Sequence, residues 1–193
     1  MELTNRKKQA METQNKIYEV SIKLMEEKGF NDVKIEDICR DAGVSIGSFY
    51  NYFKSKNDIL LEIYSRADNF FKNVVEKKLN KKSAAENIVL LFYYYALCNE
   101  TTGVETMKQL YAPSNKLFIK KGRYMQTVLT NVIKKGQDDG ELISDMTAEE
   151  ITEYLFIAAR GVGYDWTAHE GSYDLKEFSI KYFKRLIKIF LVK

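Results

Sequence analysis

Over its 193 residues the chain has one proline, Pro113, one histidine, His169, and two cysteines, Cys39 and Cys98. With so little proline, helices can run long, and no alternation of apolar and polar residues lasts long enough to compete with the helical period, so an all-α fold is expected. A single histidine excludes a His-pair metal site. In the polar stretch AHEGSYD, without a nearby nucleophile or second ligand, it reads as solvated surface. The cysteines lie far apart without metal-ligand spacing and fall on apolar helix faces. They read as small buried residues, with a thiol sensor as the alternative. No Gly-rich phosphate loop is present, no Ser/His or Cys/His combination is placed by sequence, and the carboxylates are scattered on solvent faces. The chain therefore does not read as an enzyme and implies no cofactor or metal. The longest apolar run, IVLLFYYYALC at 88–98, is too short for a bilayer, which takes about 20 residues. With a polar N-terminus and no secretory signal, a cytoplasmic protein without membrane association is expected.

One absence is local. Residues 42–57, AGVSIGSFYNYFKSKN, contain no carboxylate although 30% of the chain is charged. A stretch rich in hydroxyls that does not repel phosphate is a candidate nucleic-acid surface. Just upstream, in IEDICRDAG (35–43), Ile35, Ile38 and Cys39 follow the spacing of one helix face. Gly43 supplies a left-handed stop, Val44 an apolar plug and Ser45 an N-cap for a second helix. The unit reads as helix, tight turn, helix, with Cys39 and Ala42 small at the crossing and Phe49 and Phe53 turned inward. Ile46, Gly47, Ser48, Asn51 and Tyr52 form the opposite face, with Tyr50 at its edge. Hydroxyls there can donate to phosphate oxygens, and Gly47 lets backbone approach backbone. Lys54 and Lys56 follow where a third helix begins, whose first amides would also favour an anion. Acids and bases roughly cancel over residues 1–60, so affinity must be local. The cluster Arg6-Lys7-Lys8 reads as a solvated, unstructured terminus, or alternatively as an arm on DNA.

Residues from about 13 to 62 resemble the DNA-binding domain of the TetR family of bacterial transcription regulators. The features that carry the likeness are EEKGF at 26–30, DI at 37–38, AGVS at 42–45, the run Tyr50-Asn51-Tyr52-Phe53 and SK at 55–56. The resemblance implies that Ser48, Tyr50, Tyr52 and Lys56 contact phosphates while Ile46, Gly47 and Asn51 face base edges, with Ser45 and Lys54 on the same surface. Two positions depart from the family pattern. Lys34 stands where threonine usually opens the first helix of the motif; it cannot cap through an oxygen but can reach a phosphate. Cys39 replaces the usual alanine.

The expected architecture is an N-terminal three-helix DNA-binding domain, residues 1–54, and a larger C-terminal helical domain for ligand binding and dimerisation, residues 55–193. A linking helix is expected over about 55–79, then helices over about 84–100, 103–111 and 115–138, one within 145–166, and a last one over about 174–192. Ser83 with Glu86 reads as a capping box, and Thr147 as the cap of the helix after it. The small residues of that helix and the broad apolar face of the last one suggest a four-helix dimer interface through Tyr154, Ala158, Val162, Phe178, Tyr182, Leu186 and Phe190. The RGVGYDW…DLKEF pattern at 160–178 resembles the dimer-forming end of many TetR-family chains. The competing reading is that both faces fill an intrachain core. The middle helices are rich in aromatics, among them Phe118, and Phe71, Phe92, Tyr95, Tyr111, Tyr124 and Phe156 are candidates to line a ligand pocket. Arg160 can pair with a ligand carboxylate, or with Asp165 or helix-end carbonyls. Together with the resemblance, which alone implies repression rather than activation, these features point to a homodimer on a palindromic double-stranded DNA operator, a repressor released by a small organic effector. The alternative is a regulator of the same fold that acts through a protein partner or as an activator.

Overall fold

The computed structural model describes residues 4–193 except 114, 117, 118 and 120, and among these it is built from nine helices without a strand. Helix α1, Asn5–Lys28, ends at Gly29 (φ 81°); α2, Ile35–Ala42, and α3, Ile46–Tyr52, form the helix-turn-helix unit. Gly43 adopts the left-handed conformation (φ 63°, ψ 38°), and the Ser45 hydroxyl accepts from the Ser48 amide at 3.1 Å, as the turn chemistry requires. Ile17, Leu24, Met25, Val33, Ile38, Cys39, Ala42, Phe49, Phe53 and Ile59 close one buried cluster around this unit.

Helix α4, Lys56–Phe70, continues through a π-helical turn, Phe71–Val75, into Glu76–Lys78. Then come α5, Ala84–Thr102, and α6, Val104–Tyr111, followed by α7, Tyr124–Asp138, α8, Ala148–Ala168, and α9, Leu175–Leu186. Buried α5 is the axis of this second part. Along one side lies α9, with Phe183 stacked on Phe92 at 3.9 Å, and α7 and α8 close the main core through Leu129, Ile133, Ile151 and Leu155. A third cluster joins the two parts. It contains Leu60 and Ile63 from α4, Ala96 from α5, Met107 and Leu110 from α6, and Val162 and Trp166 from α8, with Tyr18 and Ile22 of α1 packed against it.

Several expectations are corrected. Arg6, Lys7 and Lys8 lie in the first turns of α1 rather than in an unstructured terminus. The helix expected from residue 115 starts only at Tyr124, because Gly122 turns with φ 80° and the Arg123 amide is capped by Gln126; Phe118 lies outside the described residues. The last helix stops at Leu186 and passes through a 3-10 turn, Ile187–Phe190. The tail beyond it pairs with residues 141–143, the Ile143 amide donating to Phe190 and the Val192 amide to Glu141. At the start of α5, Ser83 does cap the Glu86 amide, but the reciprocal carboxylate comes from Glu141. Its oxygens accept from Ser83 Oγ (2.5 Å) and from the Ala84 (2.6 Å) and Ala85 (2.9 Å) amides. Thr147 and Glu150 form the reciprocal box that starts α8. None of the described helices is long and apolar enough to cross a membrane.

Candidate functional site

The exposed face of α3 carries Ile46, Gly47, Tyr50 and Asn51, with Ile46 46% and Tyr50 51% exposed. Phe49 is fully buried beneath it, and its ring meets Phe53 at 5.9 Å and the Tyr50 edge at 5.6 Å, which fixes how Tyr50 leans off the helix. Ile46, Tyr50 and the half-buried Tyr52 lie together on a stretch that carries no carboxylate. Gly47 is not demanded by packing: a methyl group there would meet only Ser45 Oγ, at 3.9 Å. Ser45, Lys34 and Lys54 are exposed around the same face, and Ser48 is half-buried. Lys16 of α1 brings a further ammonium beside the Gly43 turn, a cation that helix spacing alone did not single out.

Lys56 does not fit its expected role. Its ammonium donates to the carbonyls of Phe30 (2.7 Å), Val33 (2.6 Å) and Asn31 (3.3 Å), so its three protons hold the α1–α2 loop in place rather than face a phosphate. Burial pulls its pKa below the ordinary lysine value. The start of α4 is likewise occupied from within, the Asp58 carboxylate accepting from the Lys54 amide at 2.7 Å. An anion is favoured there as expected, but the chain supplies it.

A cavity of about 940 Å³ opens between α1, α4 and α5. Tyr18, Ile22 and Glu26 of α1, Ile63, Tyr64, Ala67 and Phe70 of α4, Tyr95, Cys98 and Asn99 of α5, and Met107 and Leu110 of α6 line it, with Arg123 and Met125 at its α7 side. Of the residues singled out by sequence, Tyr95 lines it. Tyr111 lies behind, its hydroxyl 3.3 Å from the donating Asn99 amide. Phe71, Phe92 and Phe156 are core residues, and Tyr124 sits outside, donating to Glu76 at 2.8 Å. Arg160 is half-buried and pairs with no carboxylate among the described residues; Asp165 instead accepts from Tyr173 at 2.9 Å.

The cavity walls are tied by three long-range devices. Arg123 donates to both oxygens of Asp68 at 3.2 Å and lies over the Tyr64 ring at 4.5 Å, fastening α7 to α4. Arg66 pairs with Glu62 at 3.0 Å, donates to Asn15 at 2.6 Å and stacks 3.8 Å over Tyr18, fastening α4 to α1. Glu26 of α1 accepts from the Val104 and Glu105 amides, both at 2.9 Å, so it caps α6 from across the molecule. Gly103 (φ 90°) must be glycine there: any side chain would collide with that carboxylate. Burial pushes Tyr18 up to about 12, Cys98 up to about 12, and Tyr64, Tyr95 and Tyr111 above the usual phenol range, so the cavity wall keeps its phenols protonated.

Of the expected dimer residues, Tyr154, Phe178 and Tyr182 are exposed and Ala158 and Leu186 half-buried. Val162 and Phe190 are buried within the chain, Phe190 edge-on to Tyr154. The α8 and α9 faces thus divide: one side fills the intrachain core, the other stays open. Ile157 (56% exposed), Gly161 and Tyr164 (61%) extend the open side on α8.

Residues 17–63 match the family model described as bacterial regulatory proteins, tetR family. The chain is similar to the fatty acid metabolism regulator protein of Bacillus subtilis, with 21% identity over 170 residues, 84% of this chain and 88% of that one. The HTH-type transcriptional regulator EthR of Mycolicibacterium smegmatis is 40% identical over 58 residues, 28% of this chain and 27% of that protein. Among solved structures, the transcriptional regulator FadR from Bacillus subtilis in complex with stearoyl-CoA has the same fold: TM-score 0.66 and 19% identity, over 90% of this chain and 97% of that one.

Proposed function

We propose that this chain, whose residues 17–63 match the tetR-family model, is a DNA-binding transcription regulator of that family, a homodimeric repressor that leaves a palindromic operator when a small organic molecule fills the cavity between α1, α4 and α5. The observation that carries this reading is the cavity's position: its walls include α1 and α4, which also support the recognition unit. In this reading residues 1–54 read DNA, and residues 55–193 hold the effector and pair the protomers. A ligand that parts α1 from α5 strains the Glu26 cap on α6 and the Arg66 tie to Asn15, and so re-aims α3. The open α8 and α9 faces, with Ile157, Phe178 and Tyr182, supply an apolar surface for a two-fold partner. Two recognition helices related by that axis then meet successive major grooves about 34–36 Å apart. A cavity of this volume, walled mainly by apolar and aromatic side chains, suits a drug-sized organic body, and the stearoyl-CoA held by the FadR relative makes acyl compounds the first effectors to try.

Selection of bound sequences from random duplex DNA by the purified protein, at fixed near-physiological salt, tests the reading. An inverted repeat with half-site centres about one helical turn apart is expected. Enrichment of a lone half-site, or of nothing, contradicts it.

A further inference from the structure

The charges on the cavity wall are already spent among the described residues. Asp68 neutralises Arg123, and Glu62 neutralises Arg66. Glu26 is held by the α6 amides, and Glu100 by Lys176 and the Leu175 amide. Glu19, Lys23 and Glu27 lie on the exposed rim, where Lys23 and Glu27 approach to 3.8 Å. Arg160, half-buried and without a carboxylate partner among the described residues, does not line the cavity, so an ionised head group carried into the interior would meet no unpaired counter-charge on its wall and would lose its water. What the interior offers is neutral and polar. The Asn99 amide donates to Tyr111, and Tyr95, 7% exposed, forms part of the wall. Tyr95 thus presents a phenol at the cavity wall that can give its proton to an occupant, and burial keeps that phenol protonated.

We propose that the cavity takes a ligand uncharged where it is buried, an apolar body bearing a hydrogen-bond acceptor such as a ketone, ester or thioester carbonyl, with Tyr95 as the donor that recognises it. This deepens the effector-release reading and rests on it. A matched series tests it at pH 8: 2-undecanone, methyl decanoate and decanoate, each titrated into the full-length protein by calorimetry. The ketone and the ester bind. Decanoate, ionised at this pH, binds at least about tenfold more weakly, since a buried unpaired charge is the costliest mismatch of the three. Tyr95→Phe weakens the ketone and the ester roughly 3–10-fold, the worth of one hydrogen bond, and leaves decanoate unchanged; Cys98→Phe, which fills the cavity, abolishes binding of all three. Decanoate matching the ester, failure of both neutral probes, or a Tyr95→Phe protein of undiminished ketone affinity overturns the assignment. The comparison of probes on the unaltered protein needs no variant to fold. Release of a selected duplex, followed separately, distinguishes the two levels. Neutral probes that bind without releasing DNA contradict the regulator reading and leave the ligand class standing. Release driven best by decanoate does the reverse.

Discussion

At the scale of single residues, packing makes no demand on Gly47, whereas Lys56 serves the fold. Gly47 has room for a methyl group and ordinary helical backbone, so Gly47→Ala is expected to leave thermal stability unchanged or raise it by up to about 1 kcal/mol, while operator affinity falls at least tenfold in a fluorescence titration. Unchanged affinity would remove Gly47 from the contact face. Lys56→Met strands the carbonyls of Phe30, Val33 and Asn31 and is expected to cost about 1–3 kcal/mol in urea denaturation. The salt slope of DNA binding by the folded fraction should not change, because no phosphate contact is lost. The sequence singles out the exposed position of Gly47 but conceals the structural role of Lys56. Gly43, Ser45, Phe49 and Tyr50 are legible because turn, cap and face are set by neighbours within four residues. The partners of Lys56 lie 23 to 26 residues away, beyond any local pattern.

At the scale of elements, long-range caps decide where helices begin. Glu141 starts α5 from a distant loop, and although partial burial raises its pKa, hydrogen bonds from Ser83, Ala85 and Ala84 outweigh that and hold it below the usual carboxylate range. A carboxylate depressed in the folded state adds stability above its unfolded pKa of about 4.3 and loses it as pH falls through the folded value. Glu141→Gln should therefore cost about 1–3 kcal/mol at pH 7, and its deficit relative to the unaltered protein should shrink in denaturant melts taken below about pH 4. A deficit independent of pH would mean that the carboxylate's charge is irrelevant. On α8 and α9, Ile157→Asp with Phe178→Asp should give folded monomers in sedimentation, since both side chains are exposed; dimers surviving both changes would move the interface elsewhere. Helical periodicity found the apolar residues of α9 but not their division. A stripe wider than one neighbour needs is the same pattern whether a ring is stacked in the core, as Phe183 is on Phe92, or exposed, as Phe178 is.

At the scale of the whole molecule, the recognition unit is not an independent bead on a linker. Arg66, Glu26 and the cluster around Leu60, Ile63 and Met107 bind α1 and α4 to the second half, and the cavity lies along that seam. The aromatic richness of α5 pointed toward a pocket, but periodicity cannot tell Phe92, stacked in the core, from Tyr95 three positions later on the cavity wall. The α1 wall, with Tyr18, Ile22 and Glu26, was invisible because nothing in α1 itself records that α5 lies opposite. In the proposed reading the ligand lies against α1 and α4, which also support α3, so ligand and DNA binding must be reciprocally linked if filling the cavity moves α3. The most direct measurement is the affinity for a selected operator duplex, at fixed salt, with increasing methyl decanoate, for the unaltered protein and for Cys98→Phe. The account predicts at least about tenfold weaker operator binding at saturating ligand, and a Cys98→Phe protein whose affinity does not respond. An operator affinity that stays constant while calorimetry reports a filled cavity would contradict it.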